Sequence, residues 1–244
     1  MRIPRIHVDS PINPDKDFFL TGSALKHVSK VLRLRTGAEV LLFDGRGGEW
    51  RALLEAIRKD HAQARLLEHI DIDREAPLHW ELVQGISRGE RMDYTLQKSV
   101  ELGVAAVHPV VTKRTMVRLE GERALRRREH WQGVVTGATE QCGRTRLPAV
   151  HGTRALQEFL AAREDGLLLL LDPKADTSMN DLPLAKPKNV FLLVGPEGGF
   201  EDAEREAACA AGAKGLRLGP RILRTETAAV AAAALLLGRW GDLA

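Results

Sequence analysis

From Asn189 to Glu206 the chain reads NVFLLVGPEGGFEDAERE: an apolar run breaks into a glycine-rich loop, and an acidic helix follows. Gly195, Gly198 and Gly199 let a ligand approach the backbone closely, and amides at the following helix start can donate hydrogen bonds. The loop is not G-x-G-x-x-G and has no Walker lysine. A phosphate site normally avoids a fixed negative charge. Glu197 in mid-loop therefore argues against a pyrophosphate and is compatible with a neutral or cationic ligand. Glu201, Asp202 and Glu204 suit the N-terminus of the helix electrostatically. These residues alone leave open whether this is a plain strand-to-helix turn or a ligand loop.

A second stretch, LRLGPRILRTETAAVAAAALLL, runs from Leu216 to Leu237. Gly219 and Pro220 end a strand, and Thr225 is expected to cap the alanine-rich helix. Arg221 and Arg224 sit beside the tight loop, and the arginine fork suits a phosphate or a developing oxyanion. A third stretch, RRREHWQGVVTGATEQCGRTRLP, reads as an amphipathic helix with Glu140, Gln141, Arg144 and Arg146 gathered at its end. Arginine there is favourable for dipole reasons alone, so a structural role and a binding role both stand.

These stretches need a scaffold, and the pattern changes along the chain. The first seventy or so residues are strand-rich: RIPRIHV, then EVLLFDGRGGEWRALLEAI with a hairpin signal at DGRGG, then QARLLEHI. SALKHVSKVLRLRTG lies between the first two and has helical spacing. A small β-barrel with one helix is expected. DIDREAPLH, polar and with Pro77, reads as a linker. Beyond it strands and helices alternate, which predicts an α/β domain, and GLLLLLD and NVFLLVG are the apolar runs of a parallel sheet buried on both faces.

Bulk properties set bounds. The 244 residues are 44% apolar, enough for a substantial core, with only 5% aromatics. Net charge is +3 and the sequence pI about 9.0, a mild pointer to an anionic partner or simply a slightly basic enzyme. The two cysteines show no metal spacing and no disulfide framework, which fits a reducing cytoplasm. The N-terminus has no apolar signal region, and the longest apolar stretch, AAVAAAALLLG, falls well below the ~20 residues of a membrane helix.

Taken together, RIPRI, HVSKVLRLRTG…FDGRGGEW, RMDYTLQKSVELGV, HPVVTKRT, ATEQCGR…LP, LLVGPEGGFEDAE and LGPRILRTETA closely resemble the RsmE-type ribosomal RNA uracil-N3 methyltransferases of the SPOUT superfamily, over the whole chain. The resemblance implies a PUA-like β-barrel over residues 1–72 that helps hold RNA, and a SPOUT α/β domain with a deep trefoil knot over 76–244. It implies a homodimer, S-adenosylmethionine as cofactor, no metal and no membrane. The substrate implied is a uridine in 16S rRNA of the small ribosomal subunit, methylated at N3 in the cytoplasm.

The same resemblance implies cofactor contacts from Leu171 in the first loop and from Val194, Gly195, Glu197, Gly198 and Gly199 in the second. The third loop contributes Leu218, Gly219, Ile222, Leu223 and Thr225. A positive sulfonium without phosphate suits a loop that carries Glu197. That carboxylate either faces the sulfonium or fixes the loop by hydrogen bonds. Arg224 is the candidate for stabilising charge on the uracil and Glu226 the candidate proton acceptor. Candidate RNA contacts are Arg2, Arg5, Lys30, Arg33, Lys113, Arg114 and Arg144, on the view that a basic surface sets affinity more than sequence choice. Two other readings are a SPOUT enzyme acting on another RNA or on a ribose 2′-hydroxyl, and an RNA-binding assembly factor without chemistry.

Overall fold

The computed structural model describes residues 3–117 and 121–243. It divides into two compact units, one of residues 1–75 with 139–147 and one of 76–138 with 148–244.

The first unit is built on a five-stranded sheet in the order β1-β3-β4-β5-β2, with β1 Arg5–His7, β2 Phe18–Leu20, β3 Glu39–Phe43, β4 Glu49–Ile57 and β5 Ala62–Ile70. β1 is parallel to β3, and the other pairs are antiparallel. Two register shifts between β4 and β5 curl the sheet. Its inner face buries Ile6, Val40, Leu42, Ala52 and Leu54. The hairpin expected at DGRGG joins β3 to β4, and Gly45, Gly47 and Gly48 all have positive φ there. The single helix expected over SALKHVSKVLRLR is instead α1, Gly22–Lys26, running into a π-turn, His27–Val31. The Leu32 amide reaches back five residues to the His27 carbonyl at 2.9 Å. That wider turn buries Val28 fully and leaves Val31 70% exposed.

The second unit carries a parallel sheet in the order β12-β10-β11-β6-β7-β8, with β9 also paired to β7. Its strands are β6 Trp80–Gly85, β7 Ala106–Val111, β8 Ala149–Val150, β9 Arg154–Ala155, β10 Leu167–Leu171, β11 Val190–Val194 and β12 Lys214–Leu216. The helices are α2 Glu90–Glu101, α3 Gly121–Cys142, α4 Leu156–Ala162, α5 Asp202–Ala210 and α6 Thr225–Trp240. The last turn of α3 and the residues after it belong to the first unit. β11 is buried at every position, as its all-apolar sequence requires of a strand covered on both faces. β11 lies on one side of β10, and the chain then crosses to lay β12 on the other. The C-terminal ends of β12, β10 and β11 are therefore neighbours, and their three loops gather there. Among the described residues no helix is long and apolar enough to cross a membrane.

Thr225 does not cap α6. Arg224 occupies the cap position without a side-chain cap bond. The Thr225 hydroxyl instead donates to the Gly195 carbonyl at 2.6 Å and receives Gln84 Nε2 at 3.0 Å. Tertiary packing of the loop after β11 against the start of α6 outcompetes the local cap.

Candidate active site

The loops after β10, β11 and β12 enclose a cleft of about 620 Å³, within the range of small-molecule sites. Ligands of open α/β sheets lie outside the carboxyl ends of the strands, where this cleft opens. Leu171, Val194, Gly195, Glu197, Gly198, Gly199, Leu218, Gly219, Ile222, Leu223 and Thr225 all line it, as do Arg224 and Glu226. Residues 55 positions apart in sequence thus share one wall.

The glycine loop is close-packed. A Cβ on Gly195 would lie 3.1 Å from the Gly199 Cα, and one on Gly85 of β6 would lie 2.5 Å from Pro196 Cδ. Gly199 has φ of +67°, but a Cβ there meets no described atom within 4 Å. The constraint at Gly199 is backbone conformation and the open cleft, not protein packing.

The cleft's carboxylates, Asp172, Glu197, Asp202 and Glu226, fall into two pairs, each sharing one arginine. Arg205 lies 3.7 Å from Asp172 in the first loop, pairs with Asp202 and donates to the Phe200 carbonyl at 2.8 Å. Arg91, near the start of α2, lies 3.1 Å from Glu197 in the second loop and 3.9 Å from Glu226 in the third. Glu197 Oε1 also accepts the Arg88 amide at 2.9 Å. Burial pushes the Glu197 carboxyl up. The amides of Arg88 and Glu197 itself, with the Arg91 guanidinium, outweigh that and hold it below the usual carboxylate range. Glu197 thus fastens its loop through hydrogen bonds. Glu226 differs from it, for its Oε2 is buried with no hydrogen-bond partner among the described residues.

Arg224 is exposed, and no described residue pairs with its guanidinium. Arg114 lies along Gly198 and donates to its carbonyl at 2.9 Å, which places it on the same cleft. Lys113 is exposed, with its amide on the buried Glu204 carboxylate at 2.8 Å.

In the first unit the candidate RNA contacts separate. Lys30 and Arg33 are exposed, Arg33 with a left-handed φ of 52°. Arg2 lies outside the described residues. Arg5 and Arg144 are corrected to internal braces. Arg5 is 7% exposed, pairs with Glu49 at 2.8 Å, donates to the Thr139 and Arg144 carbonyls and lies over the Phe43 ring. Arg144 is 5% exposed and pairs with Glu75. A guanidinium enclosed by its own fold has no donors facing a nucleic acid. The neighbouring Glu140 is pushed up by burial, although it accepts the His7 amide and lies beside His27 and Arg5.

Reading the sequence missed Gln84, Arg91, Asp172 and Arg205. Two of these carry a signal. Gln84 is a polar residue inside an apolar strand run, and it is fully buried. Arg91 is a cation in the first turn of a helix, against the dipole.

A model of an RNA methyltransferase domain matches residues 74–237, and one of an RNA methyltransferase PUA domain matches 20–67. The ribosomal RNA small subunit methyltransferase E of Buchnera aphidicola is 31% identical over 99% of this chain and 98% of its own. The enzyme of the same name from Neisseria gonorrhoeae, solved bound to S-adenosylmethionine, superposes with a TM-score of 0.94 at 38% identity, with both chains fully covered. A Legionella pneumophila protein solved with the same cofactor superposes with a TM-score of 0.95 at 37% identity, again over all of both chains.

Proposed function

Because the chain belongs to the ribosomal RNA small subunit methyltransferase E family, we propose that it transfers a methyl group from S-adenosylmethionine to N3 of a specific uridine in 16S rRNA. The observation that carries this reading is the cleft: three loops close on it, and an exposed arginine and a half-orphaned carboxylate stand on its wall. Glycine backbone and apolar side chains fit the neutral body of S-adenosylmethionine, and the cleft's carboxylates stand among the cations Arg91, Arg114, Lys174, Arg205, Arg221 and Arg224. The contacts we assign to it are Leu171, Val194, Gly195, Glu197, Gly198, Gly199, Leu218, Gly219, Ile222, Leu223 and Thr225. Of these, Glu197 acts by bracing its loop.

S-adenosylmethionine supplies an electrophilic methyl group when bound. The residues must make uracil N3 a nucleophile. Its lone pair is tied into the ring until the N3 proton leaves, and negative charge then spreads over O2, N3 and O4. Glu226 accepts that proton. Arg224 meets the charge as it develops, where a preorganised donor contributes most. With cofactor bound, the cleft wall would hold the uracil so that N3 can meet the methyl group. The base has to leave its stack to enter.

The fold assigned to residues 76–244 is the SPOUT domain with a deep trefoil knot, a rare topology. Residues 1–72 form the PUA-like RNA-holding domain. Lys30, Arg33, Lys113 and Arg114, with Arg2, supply phosphate contacts. The active form is a homodimer working in the cytoplasm.

The test is to incubate the protein with methyl-labelled S-adenosylmethionine and small-subunit particles, digest the RNA and identify the labelled nucleoside. 3-Methyluridine is expected. A ribose-methylated nucleoside would move the protein to 2′-hydroxyl chemistry, and no label on any RNA would make it an assembly factor.

A further inference from the structure

Two arginines strap the three loops in succession. Arg205 joins the first to the second through Asp172, Asp202 and the Phe200 carbonyl. Arg91 joins the second to the third through Glu197 and Glu226. The two straps differ in what they hold. Arg205 holds carboxylates that neither reach the α6 start nor stand beside an orphaned oxygen. Arg91 holds Glu226 by Oε1 while its other oxygen, Oε2, is buried without a partner among the described residues.

Arg91 meets its two carboxylates unequally, since the Glu197 contact is a hydrogen bond at 3.1 Å and the Glu226 contact an ion pair at 3.9 Å. It is the one charged group, among the described residues, within ion-pair distance of Glu226. Of the elements packed against α6, β11 carries only Val, Phe and Leu, while α2 carries Glu90, Asp93, Tyr94, Lys98 and Glu101 besides Arg91, and Arg221 and Arg224 stand on the loop before Glu226. A cation in the first turn of α2 is unfavourable for the dipole, although Glu90 and Asp93 stand in the same turn, and its side chain reaches the two cleft carboxylates.

We propose that Arg91 is a positioning residue for the methyl transfer: a single guanidinium, shared between Glu197 and Glu226, that couples closure of the cofactor loop to the readiness of Glu226 to take the uridine N3 proton. This rests on the proposed uridine-N3 reaction. The proton passes from N3 to the Glu226 carboxylate, leaving its bonding pair on N3 for the new N–CH₃ bond, and later passes from Glu226 to solvent. Sharing has a directional consequence. Removing Arg91 leaves Glu226 without its cation. Neutralising Glu197 releases Arg91 to close on Glu226.

The test is the pH profile of single-turnover methylation at saturating S-adenosylmethionine, with cofactor affinity measured by calorimetry at each pH. Arg91→Gln is expected to move the acid limb of the rate up, since it removes the one cation beside the Glu226 carboxylate. Glu197→Gln is expected to move it down. Arg205→Gln is expected to weaken cofactor binding and leave the limb in place. Arg91→Lys keeps charge but loses the fork, and serves if Arg91→Gln does not fold; it is expected to shift the limb in the same direction by less. Wild-type turnover to 3-methyluridine, combined with an acid limb unmoved in the Arg91 variants or moved the same way by the Arg91 and Glu197 changes, would overturn the shared-guanidinium role alone. Failure of the wild-type protein to form 3-methyluridine would overturn the reaction itself.

Discussion

Arg224→Ala is expected to lower the single-turnover rate by about 100- to 1,000-fold while leaving cofactor affinity nearly unchanged. Its guanidinium is exposed and unpaired among the described residues, so it braces nothing that its removal would loosen. An interaction confined to the transition state appears in turnover and not in ground-state binding. Lysine should restore part of the rate, since it keeps the charge without the planar fork. A defect recovered in full by excess cofactor would return Arg224 to a structural role. Gly199→Val is expected to weaken S-adenosylmethionine binding. The strain comes from a φ of +67°, which a β-branched residue rarely adopts, and from a side chain entering the cleft. Equal calorimetric affinities of mutant and wild type would take Gly199 out of the site. The glycines were legible in the sequence because only their lack of a side chain explains them there. The role of Glu197 was not, since its partners Arg88 and Arg91 lie more than a hundred residues away.

At the scale of elements, the clamp between α6 and the β11 loop has a measurable cost of removal. Thr225→Val keeps the shape but deletes the hydroxyl, leaving the Gly195 carbonyl and one Gln84 donor poorly matched. An unfolding free energy lower by about 1–3 kcal/mol is expected, and a denaturant midpoint equal to wild type would show the clamp to be idle. The β6–β7 pair carries a second device. Glu81 is pushed up by burial but held down more strongly by His108 at 2.5 Å and His79 at 3.2 Å, for a net lowering. His151, stacked on His108 at 4.3 Å, is lowered mainly by burial. Both signs agree. A lowered carboxyl contributes stability that is present above its unfolded value and lost as pH falls through the folded one. A lowered imidazole likewise favours the fold above its unfolded value and loses that support on acidification. Stability should therefore fall on acidification in two stages, the imidazole's as pH drops below about 6.5 and the carboxyl's as pH drops below about 4.5, and Glu81→Gln should flatten the lower stage in thermal melts. An acid-side slope identical in the mutant would dismiss the pair. The longer strands were legible from apolar runs, but β2 was not read and β9 fell inside a stretch read as a helix. The π-turn after α1 was not legible either, because helical spacing cannot distinguish a five-residue return from a four-residue one.

At the scale of the whole molecule, light scattering at micromolar concentration should give a dimer. α6 is apolar around most of its circumference. It buries Ala229, Ala232, Ala233 and Leu236 within its own chain, yet leaves Leu235 47% exposed. A monomer mass at that concentration would count against the homodimer. The charge balance also belongs to this scale. Of the described cations considered for RNA, Arg5 and Arg144 turn inward, and Lys30, Arg33, Lys113 and Arg114 stay outside. A net charge of +3 says nothing about which cations face solvent.

The sequence by itself determined the alternation of strands and helices, the hairpin at DGRGG and the family motifs that locate three loops. Each depends on neighbours a few residues apart: side-chain period, turn chemistry, glycine and proline geometry. Only the tertiary structure decided that β12 crosses to the far side of β10, so that loops beginning near positions 171, 194 and 216 close on one cleft. It also turned Thr225 from a helix cap into a clamp and enclosed Arg5 and Arg144. These outcomes rest on burial and on hydrogen-bond partners 30 to 139 residues apart, where a group's best partner is set by which strand lies beside which.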